Sequence, residues 1–162
     1  MIDLVTMTIP ADSRYAATAR LAAASVAAEF DFDMSEIDDL TTAANELISL
    51  LIESADDFGH GPINLEISVT TSSARQGAGG AGGASEAGEV DSVDAGESTT
   101  LGQPIDQKSG VTLEMSGSIK VEGDPPTAEP LDSLTTTILA AVVDSFEFSG
   151  SVGRIVKRRR VG

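Results

Sequence analysis

The stretch Met34–Glu53, MSEIDDLTTAANELISLLIE, leaves the rest of the chain the least freedom. Its apolar side chains Ile37, Leu40, Ala44, Leu47 and Leu51 recur every three or four positions, the spacing of one buried stripe along a helix of about five turns. A helix with a single apolar stripe must lay it on another layer, so the flanking sequence has to supply a sheet or further helices. Ser35 is the candidate N-cap, and Asp38 and Asp39 sit near the end where the helix dipole favours negative charge. Glu46 lies amid the apolar run, where a carboxylate is costly without a partner or a chemical task. It is the candidate functional residue.

The flanks read as strands and helices that can cover this stripe. Leu4–Ile9 is β-branched and apolar and stops at Pro10, as a strand would. Asp12 and Ser13 are both candidate caps for a helix through Glu29, whose Tyr15, Ala19, Ala22, Ala23, Val26 and Phe30 form an Ala-rich face suited to close helix packing. Phe30–Met34 turns the chain into the central helix, and Ala55–Pro62 is a loop. Ile63–Thr70 alternates Ile63, Leu65, Ile67 and Val69 with polar residues, the pattern of a half-buried strand. Val111–Val121 resumes as strand, with a hairpin turn or bulge expected at Ser116-Gly117-Ser118. Leu131–Val143 is a second amphipathic helix capped by Asp132 or Ser133, and its three consecutive Thr residues require packing to hold it helical. Phe146–Phe148 and Val152–Lys157 close the chain as two strands turning at Ser149–Ser151. The order predicts an α+β fold, a two-layer sandwich with helices on one face of a mostly antiparallel sheet.

One segment falls outside this pattern. Residues 71–109 are rich in Gly, Ala, Ser and acidic side chains and almost free of large apolar ones. Such a stretch cannot bury enough surface to offset its chain entropy. It reads as a disordered insertion between two strands, which loops tolerate because closure entropy grows slowly with length. The expected organisation is one domain in two halves, 1–70 and 110–157, with the insertion between them and a basic tail at 158–162.

The net charge is −16, which speaks against direct binding of nucleic acid. Arg154, Lys157, Arg158, Arg159 and Arg160 are half of the ten basic residues, so charge is strongly uneven along the chain. Four such charges in a row most simply meet an acidic surface on the same protein or on a partner. There is no cysteine, hence no disulfide or thiolate metal site. The N-terminus lacks the basic and apolar regions of a signal peptide, and no window is apolar enough to span a bilayer. A cytoplasmic protein without membrane contact is expected. His60, the single histidine, sits in a Gly-rich loop without a neighbouring His or Cys, so a metal site is not expected there.

Three segments resemble bacterial anti-sigma-factor serine kinases of the GHKL, or Bergerat-fold, ATPase superfamily. TIPADSRYAATAR is similar to their first strand and the start of the first helix. DDLTTAANELISLLIE resembles their nucleotide-binding helix, whose motif places Glu four residues before Asn. LTTTILAAVVDSFEF and GRIVKRR look like the last helix and two closing strands. The resemblance implies a Bergerat-type sandwich, a histidine-kinase-like ATP-binding domain and a role in transcription regulation. It also implies a protein partner, a sigma factor or its antagonist, and a homodimer.

In that family the helix Glu activates the attacking group and the Asn oxygen holds magnesium on the ATP phosphates. Such a base and metal ligand one turn apart serve phosphoryl transfer. Glu46 matches the motif's Glu, which makes it the candidate catalytic residue. The Asn position is Leu50, and an apolar side chain cannot coordinate magnesium. The family's Asp-x-Gly-x-Gly adenine turn has no counterpart between Val111 and Pro130, where Glu122-Gly123-Asp124 is the nearest relic. The Gly77–Gly83 run lacks the Lys and the strand-to-helix context of a phosphate loop. A retained fold with a dismantled nucleotide site is therefore expected, acting by protein–protein contact and needing no cofactor. The alternative is an active Mg-ATP-dependent protein serine kinase with Glu46 as base and Asn45 or Asp39 on magnesium. A residual nucleotide pocket would lie between the central helix and residues 125–134, lined by Glu46, Ser49, Leu50 and Asp57.

Overall fold

A computed structural model describes residues 2–58, 61–72, 110–121 and 131–160. Alternation sets its sheet. In strand β2 (Ile63–Ser72) the residues Ile63, Leu65, Ile67 and Val69 are buried, and in β3 (Gly110–Ile119) Val111, Leu113, Met115 and Ile119 are buried on the same side. With β1 (Ile2–Ile9), β4 (Ser145–Phe148) and β5 (Val152–Arg158) they form a five-stranded sheet of order β1-β2-β3-β5-β4, antiparallel at every step. The opposite face carries Thr6, Asn64, Glu66, Ser68, Glu114 and Arg154, side chains that tolerate water. Three helices, α1 (Ala16–Glu29), α2 (Met34–Phe58) and α3 (Ser133–Val142), supply the second layer. The fold is the expected α+β sandwich with helices on one face.

Helix α2 is the keystone of the core. Leu40, Ala43, Ala44, Leu47, Ile48, Leu51 and Ala55 are all buried, while Ile37 is only partly covered. The helix continues to Phe58, five residues past the expected end, because Ser54 and Ala55 are still buried in its last turns. Its N-terminus is capped by Asp33, not Ser35. The Glu36 N–H donates to Asp33 Oδ1 at 2.8 Å and the Asp33 N–H donates to Glu36 Oε2 at 2.9 Å, a reciprocal capping box. The α1–α2 corner needs Asp31 at φ 59°, a left-handed conformation that Asp tolerates better than most residues.

Two glycines let α2 approach the sheet. A Cβ at Gly117 of β3 would collide with Leu51 and Leu65, and one at Gly153 of β5 with Leu47 and Phe148. Gly117 pairs with Leu65 on one side and Gly153 on the other, so β3 runs straight through the expected hairpin position. Ser116-Gly117-Ser118 is thus neither turn nor bulge. The glycine is there for the leucine above it.

Helix α1 packs through Ala16, Ala19, Ala23 and Ala27, with Ala22, Val26 and Phe30 partly buried. Tyr15, expected on that face, is 41% exposed because it closes a short 3-10 turn (Ser13–Tyr15) ahead of the helix. Asp12 caps that turn, accepting from the Arg14 N–H. Asp132 caps α3, accepting from the N–H groups of Leu134 and Thr135 and from the Thr135 hydroxyl. β4 and β5 turn at Ser149–Ser151 through Gly150, at φ 75°.

Thr71 and Ser72, expected within the insertion, are still strand, paired with Val111 and Gly110. Residues 73–109, the rest of that segment, lie outside the described residues. Ser72 and Gly110, the described residues on either side of it, are partners in the register. At the same end of the sheet the basic tail is tied down. Arg159 donates from its backbone N–H to Val111 O and from its guanidinium to Phe30 O, and the Arg160 N–H donates to Glu36 Oε1 at 2.6 Å. No helix among the described residues is long and apolar enough to cross a membrane.

Candidate functional site

Leu47 points at the sheet, which orients every other side chain on α2. At 100° per residue, Asp39, Glu46, Leu50 and Asp57 fall within about 40° of one another, on a stripe turned to one flank of Leu47. Asp39 identifies that flank. Its carboxylate accepts from the Lys157 ammonium at 2.8 Å, and the same ammonium donates to Val142 O at 2.6 Å, in the last turn of α3. The stripe therefore looks toward the α3 side of the sandwich. Ser49 lies about 60° from Glu46, on the outer edge of the stripe.

Glu46, Ser49 and Leu50 are half-buried, and Asp57 is exposed beyond them. Glu46 makes no hydrogen bond or ion pair among the described residues. Leu50 sits one turn past it with an apolar side chain. A carboxylate placed in this way can accept a proton or a hydrogen bond, but the position one turn on offers no oxygen. Of the expected opposite wall, residues 125–134, positions 125–130 lie outside the described residues, as does His60, while Leu131 is half-buried and Asp132, Ser133 and Leu134 are exposed.

The two side chains weighed as substitute metal ligands are separated from Glu46. Asp39 is two turns away along the helix, about 10 Å, and holds Lys157. Asn45 is about 100° away around the helix and lines a groove with Ala17, Arg20, Leu21, Ala24, Thr41 and Thr42, between α2 and α1. They occupy opposite flanks of the helix.

Lys157 is the side chain that sequence patterning missed. It is 3% exposed, on the helix-facing side of β5 with Gly153 and Ile155, a position where alternation calls for an apolar residue. A lone Lys in register with buried residues was the available signal. Its ammonium also sits where the C-terminal carbonyls of α3 favour a cation.

Elsewhere the ionic groups cap and cross-link. The Arg14 guanidinium, bonded to both oxygens of Asp12, and the Arg14 backbone N–H hold that carboxyl down at about 2. The Thr135 N–H and hydroxyl hold the Asp132 carboxyl below its ordinary value. On the open face, Arg154 pairs with Glu114 at 2.6 Å.

The model of the histidine kinase-like ATPase domain family matches residues 9–157 of this chain. No curated protein matches it. The matched span runs from the last residue of β1 into β5 and takes in all three helices, the Glu46 stripe and the Lys157 clamp. The sandwich and its central helix are thus those of this family: the chain belongs to the histidine kinase-like ATPase domain family.

Proposed function

We propose that this chain is a regulatory protein of the anti-sigma-factor type that acts by binding another protein, with nucleotide binding impaired or lost. The observation that carries this function is Leu50. It stands one turn beyond Glu46, on the stripe facing α3, where the resemblance calls for an oxygen ligand to magnesium. Asp39 is committed to Lys157 and Asn45 lies on the α1 flank, so neither compensates. The partner implied by the resemblance is a sigma factor or its antagonist, with a homodimer as the resting form. The residues expected to touch any residual nucleotide are Glu46, Ser49, Leu50 and Asp57.

Calorimetric titration with ATP and ADP, with and without magnesium, tests this. The expected result is no saturable heat and no thermal stabilisation at millimolar nucleotide. Magnesium-dependent binding in the micromolar range would overturn it in favour of an ATP-dependent protein serine kinase, the function that the unpartnered Glu46 favours. Glu46→Ala then separates the two: a kinase loses phosphoryl transfer, whereas a binding protein keeps its partner. Sedimentation of the purified protein tests the dimer.

A further inference from the structure

The two outer strands of the sheet are built differently. An outer strand presents unpaired N–H and C=O groups, a template for another strand, and folded proteins usually blunt it by brevity, Lys, Pro or a bulge. β4 is blunted by its brevity, at four residues. β1 is not. It runs eight residues, IDLVTMTI, in unbroken register with β2 from Ile2 to Ile9, without Lys or Pro.

Alongside β1, on the helix side, an open groove of about 570 Å³ separates the strand from α1. Its lining is Asp3, Val5, Ser25, Val26, Glu29 and Phe30. The floor is apolar, with Val5 41% exposed and Val26 and Phe30 only partly buried. The rim holds two carboxylates, Asp3 and Glu29, that have no ion-pair or hydrogen-bond partner among the described residues. Leu4, 56% exposed, extends the apolar surface onto the other face of the strand.

We propose that the β1 edge takes up an extended, basic segment of another protein as a sixth strand. The incoming backbone pairs with Ile2–Ile9, an apolar side chain settles on Val5, Val26 and Phe30, and Lys or Arg meets Asp3 and Glu29. This is strand addition, in which main-chain bonds give affinity and alternate side chains give specificity. Charge selects the occupant. A second copy of this chain would bring another net charge of −16 to an edge that already carries Asp3 and Glu29. A cationic segment gains from both. The proposal rests on the protein-binding function above and gives it a surface and a partner chemistry.

The test uses the full chain and a blocked heptapeptide, Lys-Thr-Val-Thr-Val-Thr-Lys, whose Lys and Val side chains share one face, with a counterpart carrying Glu in place of Lys. Amide shifts are followed by NMR, and affinity by calorimetry at low and high salt. Saturable binding of the Lys peptide is expected, with shifts confined to Ile2–Ile9 and Ser25–Phe30. Reversing both rim charges, Asp3→Lys with Glu29→Lys, should weaken the Lys peptide by about tenfold or more and favour the Glu peptide. Both positions are exposed, so the melting curve should stay close to that of the parent. No saturation at millimolar peptide, shifts elsewhere, or indifference to the charge reversal would overturn the proposal. So would protection of the β1 amides in the protein alone, whether by a second copy or by residues 73–109. Those failures leave the nucleotide titration untouched, so the edge can fail while the binding function stands.

Discussion

Gly117 and Gly153 show how much one missing methyl controls. Leu51 and Leu47 occupy the space where their Cβ atoms would be. Gly117→Ala is expected to cost about 1–3 kcal/mol by overpacking, read as a lower urea midpoint. Leu51→Ala alone opens a cavity in a fully buried site and should cost about 2–5 kcal/mol. Combined, the two should cost less than their sum, because each relieves the fault of the other. A purely additive pair would show that Leu51 does not rest on Gly117. Asp12 and Asp132 act at the same scale through pH. Both carboxyls ionise more readily in the folded chain than in the unfolded one. Their contribution is complete above the unfolded carboxylate value near 3.9 and is lost as pH falls through the folded values, about 2 for Asp12. Thermal melts of Asp12→Ala should therefore lose less stability between neutral pH and pH 2 than the parent does.

At the scale of elements, the N-terminus of α2 is where distant parts of the chain converge. Glu36 joins the cap to the Arg160 backbone, and Asp39 joins the helix to β5 and the end of α3 through Lys157. Asp39→Ala leaves a buried ammonium with one carbonyl for company and should cost about 3 kcal/mol or more. Lys157→Met removes the buried charge itself and should cost less. Chemical denaturation of the two variants orders them, and a reversed order would mean that the pair is not buried as a unit. These cross-links were the part hidden from sequence. Periodicity located the alternation of β2 and the stripe of α2, because both are local. It misjudged Ser116–Ser118, whose glycine answers to a leucine far along the chain, and preferred Ser35 over Asp33, although Asp33 and Glu36 carry a capping pattern at the required spacing. Glu46 and Leu50 were legible because helical arithmetic fixes their shared face. The flank they look toward was not, since only the Asp39–Lys157 pair reveals where α3 lies.

For the molecule as a whole, the pairing of Ser72 with Gly110 means that residues 73–109 span two neighbouring positions of one ladder. Replacing them by a four-residue turn should preserve the fold and shorten the loop enough to add about 2 kcal/mol of stability by closure entropy. A melting temperature that falls instead would show that the segment contributes contacts of its own. The unequal outer strands carry a different consequence. A sheet that could be extended at both ends is a seed for filaments, since each added strand offers the next a place to bind. Here one end closes with a four-residue strand and a tight turn, so growth has a single direction. An incoming strand can therefore enter only beside β1, and growth would stop there only for a guest whose own outer edge is blunted.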